Sequence, residues 1–167
     1  MISIIRRSFS YFSKNIKYLN DTEILKHVKD NNIHKINFDM NIKKSNFSGL
    51  FGEKLFEEYL ILTNQNYKKQ VQIGEFRPDF VTDNKIIEIK TTITRSNKYE
   101  NLIYSPFKYF NLSLKLKKDI DVVMIGYDKL LFMQSVQNNP LFLNHVNNLK
   151  KHNIQYVFFS DLLKNTL

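Results

Sequence analysis

The chain has no cysteine and no tryptophan among its 167 residues, and only four glycines and three prolines. Without cysteine there are no disulfides and no thiolate metal sites, so a stapled secreted scaffold and cysteine-held zinc are both excluded. The four histidines are scattered without ligand spacing. No apolar run approaches the ~20 residues that cross a bilayer. Acids are scarce too: 16 Asp and Glu stand against 25 Lys and Arg, a formal net charge of +9. That surplus favours a polyanionic partner, nucleic acid or an acidic membrane surface. Lys, Asn and Ile are abundant along the whole chain, however, as an AT-rich coding sequence would also produce. What is present suits one globular domain, with 43% hydrophobic and 14% aromatic residues.

The first acid is Asp21. Before it, Ile5, Phe9, Phe12, Ile16 and Leu19 fall at helical spacing, with Arg6, Arg7, Ser8, Ser10, Ser13, Lys14 and Lys17 largely on the other side. Residues 1–20 therefore read as a mitochondrial presequence, implying the matrix, or as an ordinary N-terminal helix of an intracellular protein of the cytoplasm or nucleus. Such a basic amphipathic helix would also suit a membrane surface. Residues 21–47 read as an arm: a short helix capped by Asp21 or Thr22, then a polar connector. The domain proper is expected over 48–167.

Within it, Gly49 to Leu62 predicts an amphipathic helix with Leu55, Tyr59 and Leu62 on its apolar stripe and Phe51, Phe56 and Leu60 alongside, ended by Asn64 and Asn66. Strands are expected at Val71–Gly74, Phe76–Val81 and Lys85–Thr92, the last two joined by a hairpin at Asp83-Asn84 that lacks the usual glycine. A polar loop follows from Thr94 to Asn101. Ser105-Pro106 would then cap a helix, although Phe110 to Lys117 (FNLSLKLK) alternates as a strand would; a crossover to the next strand favours the helix. Asp121–Tyr127 predicts a strand covered on both faces. Leu130–Val136 is ambiguous. Asn139-Pro140 opens a helix that Asn153 ends, Gln155–Phe159 is a last strand, and Ser160 caps a final helical turn. The order is α/β with a mixed sheet.

The chemistry concentrates in Phe76 to Thr91 (FRPDFVTDNKIIEIKT). Residues two apart on a strand share a face, so Glu88 and Lys90 point together while Ile87 and Ile89 point into the core. Counting outward from the hairpin brings Asp79 close to Glu88, and Pro78, lacking an N–H, requires that the ladder be interrupted there or lie at an edge. Two carboxylates about 4 Å apart repel by ~4 kcal/mol at an effective dielectric of 20. A hard cation with oxygen ligands, Mg²⁺ or Mn²⁺, relieves this and supplies a water of lowered pKa. Lys90 could orient or deprotonate that water, or neutralise charge developing at phosphorus. The plain alternatives are a solvated charged edge for Glu88 and Lys90, and turn chemistry for Asp79.

Pro78-Asp79 followed by Glu88-x-Lys90 resembles the PD-(D/E)xK nuclease superfamily. Gly49-x-x-x-Glu53 is similar to the helix that supplies its early acidic residue. The resemblance spans roughly Ser48 to Tyr127. It implies a restriction-endonuclease-like αβββαβ core with a central mixed β-sheet flanked by helices. It implies Asp79, Glu88 and Glu53 as metal ligands, the Ile89 carbonyl as a further one, Lys90 as the catalytic lysine, and Glu57 as the substitute for Glu53. The expected activity is Mg²⁺- or Mn²⁺-dependent DNA hydrolysis. Endonuclease is favoured over exonuclease because a Gln-x-x-x-Tyr signature is missing between Tyr99 and Lys118. A homodimer is compatible with small nucleases of this type. Arg95, Lys98, Tyr99 and Lys108 follow the motif and are the candidates for nucleic-acid contact, by phosphate pairing or base stacking. The rival reading is a catalytically inactive nucleic-acid-binding or assembly protein on the same fold. His145 and His152 are expected to be structural or exposed.

Overall fold

The computed structural model describes residues 44–91 and 107–166. Along the chain these form α1 (Lys44–Leu62), β1 (Tyr67–Lys69), β2 (Phe80–Thr82), β3 (Lys85–Thr91), α2 (Phe107–Leu116), β4 (Asp119–Ile125), α3 (Lys129–Asn138), α4 (Pro140–Lys151), β5 (Ile154–Phe158) and α5 (Phe159–Thr166). The strands make one sheet in the order β1-β2-β3-β4-β5. The first two pairings are antiparallel and the next two parallel, a mixed sheet of the α/β class. Among the described residues no helix is long and apolar enough to cross a membrane.

Strand alternation sorts the core into two layers. Ile87 and Ile89 of β3 and Val123 and Ile125 of β4 face α1 and α5, where Leu55, Phe56, Tyr59, Leu60, Phe159 and Leu163 cover them. Ile86, Ile120, Val122 and Met124 face the other way, under Leu112 of α2, Phe132 and Val136 of α3, and Phe142 and Leu149 of α4. This is why β4 is buried from Ile120 onward: both of its faces are covered, as a parallel strand between helices requires. Phe132 packs edge-on against Phe142, Tyr156 and Phe158, with ring centroids 5.5–5.6 Å apart. Truncation to alanine removes all three contacts, and Phe132→Ala is expected to cost about 3–5 kcal/mol, read by chemical denaturation.

Several boundaries differ from the expectation. The helix expected at Gly49 begins at Lys44, and Leu62 is exposed rather than part of the buried stripe. No strand runs from Val71 to Gly74. The first strand lies earlier, at Tyr67–Lys69, and Ile73 and Phe76 form an isolated bridge around Gly74, whose φ of 60° makes the turn. The strand expected at Phe76–Val81 is shortened to Phe80–Thr82, because Pro78 has no N–H to offer the ladder. Phe110–Lys117 is helical through Leu116 despite its alternation. Leu130–Val136 is helical, capped by the Asp128 carboxylate on the Leu131 N–H. Asn139 caps α4 as expected, with Pro140 at its start. Ser160 lies inside α5 and is buried, so it is not a cap. Tyr127 falls outside β4, though it too is buried. The presequence and arm, the Thr94–Asn101 loop and the Ser105-Pro106 cap lie outside the described residues.

One glycine sets how α1 meets the sheet. A Cβ on Gly52 would lie 1.7 Å from Thr91 Oγ1 and 3.1 Å from Ile89 Cγ2. Nothing lies within 4 Å of the corresponding position at Gly49, so Gly52, not Gly49, is where the helix backbone needs to be bare. Gly52→Ala is expected to cost ~1–3 kcal/mol by overpacking. Thermal melts of that variant and of Gly52→Ala/Thr91→Ala check this: the double substitution should recover part of the loss.

Candidate metal and phosphodiester site

The hairpin between β2 and β3 fixes the site. Phe80 is opposite Ile87 and Val81 opposite Ile86, and the same count sets Asp79, one residue before β2, opposite Glu88. The turn has no glycine. Instead the Thr82 hydroxyl accepts the Lys85 N–H at 3.1 Å and donates to the Lys85 carbonyl at 3.3 Å. With the ladder interrupted at Pro78, Asp79 substitutes a side-chain bond: its Oδ2 accepts the Ile89 N–H at 2.7 Å.

Glu88 is 4% exposed. The solvated-edge explanation therefore fails, for β3 is the central strand and not an edge. The Lys90 ammonium donates to Glu88 Oε1 at 2.7 Å, and its side chain retains 27% exposure. The cluster thus combines a buried carboxylate with a cation that still reaches solvent. Asp79 feels all of this. Burial, then the Glu88 charge, push its carboxyl up to about 7 against the pull of the Ile89 N–H; Glu53 adds to the rise and Lys90 opposes it. A carboxyl so disfavoured as an anion is a group waiting for a compensating positive charge.

Glu53 comes from α1, in the opposite layer. Its Oε2 accepts the Gln70 amide at 2.9 Å and lies 3.9 Å from Lys69 Nζ. Glu57, the expected substitute, is committed elsewhere: Lys54 Nζ at 2.6 Å, Lys69 Nζ at 3.2 Å and the Tyr67 hydroxyl at 3.4 Å surround it. Burial alone would raise its pKa, but the bonds from Lys54 and Lys69 outweigh that and hold the carboxyl below the usual range. Among the described residues, no three Asp, Glu or His side chains converge as a metal-holding group. Asp79 and Glu88 as a pair still match what Mg²⁺ asks of a protein, one or two carboxylates with waters and a substrate phosphate completing the shell. Ile89 enters the cluster through its N–H.

Of the residues considered for nucleic-acid contact, Arg95, Lys98 and Tyr99 lie outside the described residues, and Lys108 falls in the first turn of α2. His145 is half-buried on α4, where burial lowers its pKa, and exposed His152 meets the Phe110 ring edge-on at 4.5 Å. A second polar group, at the start of the parallel strands, joins buried Asp121 to Lys85 Nζ at 2.5 Å and Gln155 Nε2 at 2.9 Å. Sequence reasoning missed Gln70 and Arg77, which border the carboxylates. Their signal was faint: a polar residue shortly before a Pro-Asp pair has no periodicity to mark it. A cavity of about 210 Å³ lies elsewhere, between α3, α4 and β5, lined by Phe132, Val136, Val146, Tyr156 and Phe158 among others. It shares no residue with the carboxylate cluster.

Searches against family models, curated proteins and solved structures found no match for this chain.

Proposed function

We propose that the chain is a metal-dependent DNA nuclease of the PD-(D/E)xK type, acting as an endonuclease on a restriction-endonuclease-like fold. One observation carries the reading: Asp79 is pinned opposite buried Glu88 on a hairpin, its carboxyl pushed up to about 7, with Lys90 2.7 Å from Glu88. A burden of that size on a strand pair suits a cation site better than a structural ion pair. The order from α1 to β4 agrees with the expected αβββαβ core. Asp79 and Glu88 would hold Mg²⁺ or Mn²⁺, with Glu53 assisting through water. The bound ion would supply Lewis acidity and a water of lowered pKa.

The chain's own groups then have separate tasks. The hairpin holds Asp79 and Glu88 in place before substrate arrives. Lys90 orients the attacking water or neutralises charge at phosphorus, and its partial exposure lets it reach both. Water oxygen would bond to phosphorus as one phosphorus–ester oxygen bond breaks, and the proton given up by the water balances the one taken up by the departing alkoxide, leaving a hydroxyl and a phosphate monoester.

The test is incubation of labelled duplex, single-stranded and branched DNA with the full chain and Mg²⁺ or Mn²⁺. Metal-dependent cleavage is expected. Equal trace activity from wild type and Lys90→Ala on every substrate would sink the reading. The second reading, a non-enzymatic nucleic-acid-binding or assembly protein, draws on Lys90 already neutralising Glu88 and on the lack of a three-acid group among the described residues. It predicts salt-sensitive DNA binding without turnover, and no calorimetric heat on adding either ion.

A further inference from the structure

Gln70 joins two functional groups through one carboxamide. Its Nε2 donates to Glu53 Oε2 at 2.9 Å, and its Oε1 accepts from Arg77 Nη2 at 2.7 Å. The orientation of the amide is chemically determined: reversed, it would set oxygen against a carboxylate and NH₂ against a guanidinium. The Gln70 backbone takes part as well. Its N–H donates to the Asp79 carbonyl at 2.9 Å, and its carbonyl accepts Arg77 Nε at 3.3 Å. Gln70 holds this position at a φ of 48°, in the left-handed region that a side chain of this kind rarely adopts. Strain of this sort persists where the surroundings demand it, and it concentrates at working sites.

Arg77 is exposed, and the two bonds to Gln70 use Nε and one Nη2 hydrogen of its five donors. Its Nη1 amino group is unengaged among the described residues. A guanidinium held on one edge and open on the other, one side chain away from Glu53, is prepared for phosphate. Resting on the nuclease reading for its substrate, we infer that Arg77 is a phosphate-binding residue for DNA beside the carboxylates, and that Gln70 is the positioning residue coupling Arg77 to Glu53.

Substitutions at Gln70 separate this role from a structural one. Gln70→Gly keeps both backbone bonds, relieves the left-handed strain and deletes the side chain that carries the carboxamide. Its melting temperature should match or exceed that of wild type, while KM for DNA rises severalfold or more. Gln70→Glu keeps an acceptor for Arg77 but turns a carboxylate against Glu53, so kcat should fall with DNA binding nearly intact. The probe is a fluorescein-labelled DNA duplex, its binding followed by anisotropy in EDTA across a salt series. Arg77→Gln should weaken binding on the order of tenfold and lower the log–log salt slope by about 1, as expected for one lost phosphate contact. Gln70→Gly/Arg77→Gln should be no weaker than Arg77→Gln alone, because the two residues act as one unit. An unchanged salt slope in Arg77→Gln overturns the inference, as does wild-type binding and cleavage by Gln70→Gly. If wild type binds DNA without cutting it, the nuclease reading is lost while the salt slope still decides for or against Arg77. If it neither binds nor cuts, both are overturned.

Discussion

On the proposed nuclease function, Asp79→Asn should abolish cleavage and stabilise the metal-free protein in the same stroke. The loss of activity should be on the order of a thousandfold or more, because Lewis-acid stabilisation worth several kcal/mol depends on the ligand carboxylate. The gain in stability follows from linkage. Asp79 titrates near 7 in the folded chain against an ordinary value of 3.8. The native state therefore binds this proton more tightly than the unfolded state does, so the group costs nothing below about pH 4. The cost grows as pH rises through that window and is complete above about pH 7. Burial and the Glu88 charge are its causes, and at pH 8 it amounts to roughly 4 kcal/mol. Asparagine removes the charge and retains an oxygen for the Ile89 N–H. Denaturation of wild type and Asp79→Asn at pH 4, 6 and 8 should show a difference that opens with rising pH. A difference independent of pH would contradict the buried repulsion. Adding Mg²⁺ at a hundred times its Kd should raise wild-type stability by about 2.7 kcal/mol and leave Asp79→Asn nearly unmoved.

Lys90→Ala should lower cleavage by about a hundredfold to ten-thousandfold, the range of a positioned proton-transfer or charge-stabilising group. Its effect on stability has the opposite sign to that of Asp79→Asn. Glu88 is buried and receives the Lys90 ammonium at 2.7 Å, so deleting the cation should destabilise the metal-free protein by ~1–3 kcal/mol. The two substitutions move stability oppositely and activity together. That pattern belongs to a charge cluster organised for chemistry, and a merely structural ion pair would not produce it. Single-turnover kinetics with saturating metal, beside denaturation in EDTA, resolves both halves.

The mixed α/β order and much of the core were readable where local patterns are strong, while α2 needed the crossover argument and α3 stayed ambiguous. Ile87 and Ile89 against Glu88 and Lys90, the unbroken apolar run of β4, and Asn139-Pro140 at the head of α4 each carry a local signature. The failures are as physical. Tyr67–Lys69 is too short and too polar to announce itself, and it is a strand because β2 pairs with it. Leu62 belongs to the apolar stripe by spacing, yet α1 ends at that residue and leaves it outside the core. A solvated edge stayed open as the plain alternative for Glu88 because burial depends on neighbours, and β4 is remote in sequence. Asp79, Glu88 and Lys90 could be singled out from spacing. The bridge from Glu53 through Gln70 to Arg77 could not, since it joins α1 to the segment around β1 by tertiary contact alone.

The two-residue turn at Asp83-Asn84 works as a ruler. Its length, closed by the Thr82 hydroxyl, fixes which residue of one strand meets which residue of the other. A register shift by a single position would turn Asp79 away from Glu88 to the opposite face of the sheet, whatever residues filled the turn. Substitutions between Thr82 and Lys85 should therefore be forgiven far more readily than insertions or deletions. At this point of the chain, heredity has to preserve a count more strictly than it preserves an alphabet.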